Sequence, residues 1–233
     1  QKLQADKWLF SATAGLALFG VVMVYSASVV IALQENHSQF FYVVKQGVWT
    51  LFGFIVMFIA MHFDYRILRS RWIVYGLLLL TIFLLLAVFA FSPVNGARRW
   101  IKFGGFSAQP SEVAKLALVL FLAYFLERRA GDEGSFWKTF LPCVIIAGVL
   151  AGLVVKEPDL GTALMLVMIC AAICFAAGVR PRHLAYALVP ALVFVGKMVI
   201  FTPFRWRRMA SFIDPWADQQ GAGYQVVQSL IAV

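Results

Sequence analysis

Apolar positions in this chain come in long unbroken runs separated by short polar stretches. They show neither the alternation of a half-buried strand nor the one-faced periodicity of a helix on a soluble core. The runs occupy residues 8–31, 46–62, 72–91, 110–126, 140–155, 160–178 and 184–201. A helix needs roughly 20 predominantly apolar residues to cross a bilayer, so the pattern predicts about seven transmembrane helices. The first run is too long for the apolar region of a cleaved signal and lacks a small-residue cleavage site. From residue 202 the character changes. Three Arg, two Pro and several aromatics within 202–223 predict a large interfacial loop with short amphipathic pieces. Residues 224–233 read as a helix in that loop or the start of another buried element.

Composition agrees with the pattern. Of 233 residues, 62% are hydrophobic and 13% charged, and the mean hydropathy is +0.85. Soluble domains are about half apolar and about a quarter charged, so the fold class is an all-α polytopic membrane protein. The formal charge of +9 could suit nucleic acid. The basic residues sit between apolar runs, however, where they meet lipid headgroups or an anionic lipid substrate. Cys170 and Cys174 fall inside one run, and His37, His62 and His183 are scattered, so neither a disulfide framework nor a zinc site is supported. Without repeats or flexible linkers, residues 1–233 form one membrane domain, with 202–233 beginning a large outer loop. The chain starts without Met and stops without a polar tail, and is expected to be the N-terminal part of a longer protein.

Lys and Arg set the expected orientation. Lys2 and Lys7 precede the first run, whereas 32–44 carries neither residue type. Arg66, Arg69 and Arg71, then Arg128, Arg129 and Lys138, then Arg180 and Arg182, fall on the side of the N-terminus, which is expected to be cytoplasmic. Arg98, Arg99, Lys102, Lys156, Arg205, Arg207 and Arg208 fall on the other side, against the usual bias. That exception points to an anion handled on the outer face.

Three outer segments concentrate the polar residues. Within 95–115, Pro110 suits a first helical position and Glu112 a third, where a carboxylate supports the helix start. Lys115 lies three residues after Glu112 on the same helix face. The two form either a simple ion pair or, with Gln109, an inward polar pocket, since ionisable residues at membrane depth normally face a cavity or substrate path. The second segment, Lys156-Glu157-Pro158-Asp159-Leu160-Gly161-Thr162, holds a helix-start signal and a charge cluster. The third, Phe204-Arg205-Trp206-Arg207-Arg208 with Asp214-Pro215-Trp216-Ala217-Asp218, reads equally as an interfacial anchor and as part of a cationic site. Guanidinium groups hold phosphate oxygens bidentately. Together with carboxylates they are the parts needed for glycosyl transfer from a lipid diphosphate. A transporter of an anionic lipid would need the same cations.

On these residues the sequence resembles the SEDS family of bacterial cell-wall polymerases. The matching stretches are Met23-Val24-Tyr25-Ser26-Ala27-Ser28, residues 95–100, Gln109-Pro110-Ser111-Glu112 with Lys115, Glu157 to Thr162, Asp214-Pro215-Trp216, Gly221-Ala222-Gly223-Tyr224-Gln225 and Gln228-Ser229-Leu230. Met23 to Ser28, Trp216, Gln225 and Leu230 favour the cell-division branch over the elongation branch. The resemblance implies a ten-helix fold that polymerises lipid II on the outer face of the bacterial cytoplasmic membrane, at the division septum. The acceptor's 4-hydroxyl attacks the anomeric carbon and expels undecaprenyl diphosphate. Implied partners are a class B penicillin-binding protein (FtsI) and FtsQ, FtsL and FtsB of the divisome. Glu112 and Asp159 are implied as supporting catalytic residues, and Arg98, Arg99, Gln109 and Lys115 as substrate-binding ones. No cofactor is encoded, although a divalent cation (Mg or Mn) at the diphosphate is compatible with the chemistry. The family's main catalytic aspartate lies in a His-Thr-Asp-Phe tract that these residues do not contain, so they are expected to be inactive alone. A lipid II flippase, an elongation-type polymerase and a non-catalytic divisome scaffold are the rival readings.

Overall fold

The computed structural model describes residues 6–92, 97–103, 106–132, 134–221 and 223–231. It divides into two compact units, Gln1–Tyr65 and Arg66–Val233. The first is a helical hairpin of α1 (Lys7–Gln34) and α2 (Phe41–His62). The Asp6 carboxylate caps α1 by accepting from the N–H groups of Trp8 at 2.9 Å and Leu9 at 3.2 Å, which satisfies donors that the helix cannot. Asn36, at φ 57°, ends α1, and the His37 N–H returns to the Ala32 carbonyl at 2.8 Å. Asn tolerates this left-handed closing position better than most residues. Helix α2 begins at Phe41 rather than 46, so Lys45 lies within its first turns instead of before it. The ring of Tyr25 stacks on that of Phe40 at 5.6 Å.

The second unit holds α3 (Arg71–Ala87), α4 (Pro110–Glu127), α5 (Leu141–Lys156), α6 (Leu160–Ala176), α7 (Pro181–Ile200), α8 (Pro203–Ala210) and α9 (Tyr224–Ile231). The seven apolar runs thus correspond to α1–α7. Among the described residues, five helical stretches are long and apolar enough to cross a membrane by length and composition, namely Lys7–Gln34, Phe41–His62, Arg71–Ala90, Phe136–Lys156 and Pro181–Ile200. Helix α6 is as apolar but shorter. Helix α4 carries Glu112, Lys115 and Glu127, which lower its hydropathy without changing its position in the bundle.

Helix α4 organises this unit, packing against α3 and α6, while α5 packs on α6. Its buried residues recur at helical spacing: Ala114, Ala117, Leu118, Phe121 and Leu122. The alanines allow close helix approach, which is how helices associate where burial from water no longer drives them together. Leu85 of α3, Leu150 and Val154 of α5, and Leu166 of α6 complete a fully buried core. Gly178, at φ 84°, closes α6, and the Val179 N–H reaches the Cys174 carbonyl at 3.0 Å. Pro181 then starts α7.

One feature departs from a purely helical expectation. Strands β1 (Ile101–Phe103) and β2 (Phe106–Ala108) form an antiparallel pair between α3 and α4, with Ile101 opposite Ala108. Three-residue strands are too short to leave a readable alternation. The interfacial stretch after α7 contains α8, a 3-10 turn at Pro215–Asp218, and α9. Phe204, Trp206, Met209, Phe212 and Ile213 are all exposed there among the arginines, the amphipathic arrangement that the composition of 202–223 anticipates.

Core packing yields a direct test. Leu122 is fully buried whereas Leu116, on the same helix, is 57% exposed. Leu122→Ala is expected to lower the thermal unfolding midpoint in detergent by several degrees, because a buried Leu→Ala change costs about 2–5 kcal/mol. Leu116→Ala should leave the midpoint within about 1 °C.

Candidate functional site: a guanidinium clasp beside a cationic cavity

The site forms where three segments of the second unit meet: 97–100, the start of α4, and the short connection between α5 and α6. That connection is tight. The Glu157 and Asp159 N–H groups both return to the Val154 carbonyl, at 3.1 and 3.2 Å, folding residues 157–159 over the end of α5. The Asp159 carbonyl accepts from the Ala163 N–H at 3.2 Å, whereas those of Glu157 and Pro158 are collected by Arg99. Its Nε donates to the Glu157 carbonyl at 3.3 Å and one terminal nitrogen to the Pro158 carbonyl at 2.8 Å. The other terminal nitrogen lies 4.0 Å from Asp159 Oδ2.

Asp159 is the second organiser. Its Oδ1 accepts from the Thr162 N–H at 3.1 Å and caps α6, where a carboxylate also suits the positive end of the helix dipole. Its Oδ2 accepts from the Thr162 hydroxyl at 2.9 Å and from Gln109 Nε2 at 3.2 Å. Gln109 is the residue before α4, so one carboxylate ties α6 to α4 and stands beside Arg99. Three residues of the sequence-derived site, Arg99, Gln109 and Asp159, are thereby brought together.

The remaining three are placed differently. Arg98 turns back and donates to the Phe89 carbonyl at 2.9 Å. Glu112 and Lys115 join each other at 2.8 Å, one turn apart on α4, with the Glu112 side chain 59% exposed. The ion-pair reading of these two residues is the geometry observed, and Gln109 spends its amide on Asp159 rather than on them.

Glu157 is the surprise. It is fully buried, and neither carboxyl oxygen has a hydrogen-bond partner. Burial, and then the neighbouring Asp159 charge, push its carboxyl up to about 7, while the Arg99 guanidinium pulls the other way. Nothing in the sequence separates this Glu from an ordinary interfacial one; its burial arises from the fold of the α5–α6 connection.

Beside the clasp lies a cavity of about 330 Å³. Arg99, Pro158, Asp159 and Gly161 line one wall, and α8 contributes Phe204, Arg205 and Arg208 to another, with Phe212 just beyond it. Arg205 and Arg208 complete a three-arginine cluster that the sequence shows only as an even choice between anchor and site. Such a cluster in a half-enclosed space suits an anion with several oxygens. Arg208 also donates to Gln225 Oε1 of α9 at 3.4 Å. Among the described residues no three His, Cys, Asp or Glu side chains converge to hold a metal ion.

These features define a polytopic helical membrane protein with an arginine-lined cavity at one end of its bundle. Residues 7–233 match the model of the FtsW, RodA and SpoVE family, described as cell cycle proteins, and the chain belongs to that family. It is 40% identical over 221 residues to "Probable peptidoglycan glycosyltransferase FtsW" of Geobacter sp. (strain M18), covering 94% of this chain and 60% of that protein. It is 37% identical over 239 residues to "Stage V sporulation protein E" of Bacillus subtilis (strain 168), covering all of this chain and 64% of the relative. Among solved structures, it is similar to the rod shape determining protein RodA of Thermus thermophilus, at TM-score 0.59 and 26% identity, covering 83% of this chain and 61% of that one. It is also similar to a chain of a peptidoglycan synthase complex that coordinates polymerization and crosslinking, at TM-score 0.65 and 29% identity, covering 92% of this chain and 64% of that one. The chain thus spans about 60% of the length of the curated relative from Geobacter sp. (strain M18).

The cavity's α8 wall depends on the turn that follows it. A Cβ at Gly223 would collide with the Pro215 carbonyl oxygen and lie 2.9 Å from that of Asp218, both backbone atoms. At Gly221 it would meet only the Asp218 carboxylate, which can swing aside. Gly223→Ala is therefore expected to loosen this loop and speed trypsin cleavage at Arg205, Arg207 or Arg208 several-fold. Gly221→Ala should have the smaller effect.

Proposed function

We propose that this chain is the larger part of a peptidoglycan glycosyltransferase that polymerises lipid II, and that the arginine cavity holds the diphosphate of the lipid-linked donor. The observation that carries this reading is the convergence of Arg99, Arg205 and Arg208 on one cavity beside Asp159. The names of the relatives and the likeness to a peptidoglycan synthase complex support it.

In the reaction, the acceptor sugar's 4-hydroxyl oxygen bonds to the donor's anomeric carbon as that carbon's bond to the diphosphate oxygen breaks. The hydroxyl proton passes to a base, and undecaprenyl diphosphate leaves with the bonding pair. Negative charge therefore grows on the leaving diphosphate. Fixed guanidinium groups in a partly dehydrated cavity stabilise that charge more in the transition state than in the ground state. Arg99 suits this task because two of its nitrogens are anchored on carbonyls, which fixes the plane of the guanidinium before the substrate arrives. Asp159 holds α6 and Gln109 in register with it. The residues here bind and orient the donor; the base is contributed from elsewhere in the full-length protein, as the family resemblance implies.

Three further elements belong to the same proposal. The helix ends opposite the cavity gather Arg69, Arg71, Arg128, Arg129, Lys138, Arg180 and Arg182, which supports an N-terminus on the cytoplasmic side of the bacterial inner membrane and a cavity on the outer side. The similarity to a division-type relative supports septal synthesis alongside a class B penicillin-binding protein such as FtsI, and a place with FtsQ, FtsL and FtsB. Any Mg or Mn required would be carried on the diphosphate oxygens.

The test is lipid II polymerisation by the full-length protein with its penicillin-binding partner in liposomes. Arg99→Ala is expected to reduce glycan synthesis at least tenfold, as losing a charge-assisted contact worth about 1.5–3 kcal/mol requires. The Arg205→Ala/Arg208→Ala double variant should also be impaired. Unchanged synthesis in Arg99→Ala would remove the cavity from the reaction. Lipid II crossing the bilayer without polymer would make the cavity part of a flippase.

A further inference from the structure

Glu157 has no part in the chemistry described so far, yet it is the one fully buried carboxylate of the second unit's described residues, with both oxygens unpartnered. A buried carboxylate without hydrogen bonds or a close counter-ion is costly as an anion and far less so as a neutral acid. Its own backbone carbonyl is one of the two that anchor Arg99. We infer that Glu157 is a positioning residue for Arg99: its side chain must be neutral for the guanidinium to serve an anionic substrate in the cavity, and the ionised carboxylate draws the guanidinium away from it. This rests on the reading of the cavity as the diphosphate site.

The surrounding charges define the linkage. Asp159, two residues on, disfavours ionisation of Glu157, and Arg99 favours it. Lys156 precedes it in the chain, Arg205 and Arg208 stand on the far wall of the cavity, and on α4 Glu112 and Lys115 satisfy each other at 2.8 Å. When an anion occupies Arg99, the one charge favouring the ionised form is engaged elsewhere and a further negative charge arrives. Binding therefore raises the Glu157 pKa and takes up a proton, and reciprocally a proton on Glu157 strengthens binding.

The sign follows. Glu157 in the folded protein is raised to about 7, above its ordinary value near 4.3. The folded state thus holds more protons than the unfolded one between those values, and the stabilising effect of the neutral acid is lost as pH rises through about 7. The competent, neutral fraction falls about tenfold from pH 6 to pH 8.

The experiment measures lipid II polymerisation against pH with the full-length protein and its penicillin-binding partner, for wild type, Glu157→Gln and Arg99→Ala. In wild type, kcat/KM is expected to fall with an apparent pKa near 7, and the corresponding limb in kcat, which reports the substrate complex, to lie at higher pH. Glu157→Gln, an isosteric mimic of the neutral acid, should abolish the alkaline limb near 7 and at pH 8 exceed wild type several-fold in kcat/KM. A limb of unchanged position in Glu157→Gln, or no wild-type limb near 7, overturns the inference. A folded Glu157→Gln that is equally inactive at every pH also overturns it, because a mimic of the neutral acid should be competent. Full activity in Arg99→Ala would instead overturn the diphosphate reading beneath it, so the two failures are distinguishable.

Discussion

One guanidinium ties the polar end of this bundle together. Arg99 reaches across 58 positions of sequence to the Glu157 carbonyl and on to Pro158, with Asp159 beside it. Residues 97–100 lie outside any helix, and the α5–α6 connection is only three residues long. Neither segment has enough apolar surface to hold a fixed position by packing. The clasp supplies that position through hydrogen bonds to backbone carbonyls that the ends of helices leave unsatisfied. Asp159 extends it to α4 through Gln109 and to α6 through Thr162. A rigid bundle core formed by α3 to α6 lies behind these contacts, so the order in the core is passed on to the polar edge where an anion can bind.

The same arrangement explains how function and membrane insertion coexist. Charges at the edge of a bilayer are tolerable when they are paired, hydrogen-bonded or open to water. Arg99, Asp159, Glu112 and Lys115 are each satisfied in one of these ways. Glu157 is not: it is fully buried and both carboxyl oxygens lack a hydrogen-bond partner. The exposed aromatics of α8 place a cationic wall at the interface, so the cavity is bounded by the membrane-embedded bundle on one side and an amphipathic segment on the other.

Much of this was legible in the sequence, because the bilayer imposes a length and an apolar content that can be counted. The seven runs became α1–α7, with α2 starting earlier than the run at 46 because Lys45 interrupts hydropathy but not helicity. Pro110, Asp159 and Gly178 mark helix ends in the sequence as they do in the structure. The site was half visible. Residue type and motif pointed to Arg99, Gln109 and Asp159, but not to which would touch. Arg98 and Arg99 are adjacent and chemically identical, and only the folded backbone sends one to Phe89 and the other to the clasp. Glu112 and Lys115 pair locally, as their spacing allows. The burial of Glu157, the β1–β2 pair and the recruitment of Arg205 and Arg208 depend on tertiary placement, which no spacing rule encodes.

In the proposed function the Arg99 clasp creates a diphosphate site. Its most direct measurement is the binding of undecaprenyl diphosphate to the full-length protein in nanodiscs, titrated at low and high salt. Binding is expected to be saturable, to weaken with salt and to be lost in Arg99→Ala while the variant remains folded. Equal affinity of wild type and Arg99→Ala across the salt series would contradict it.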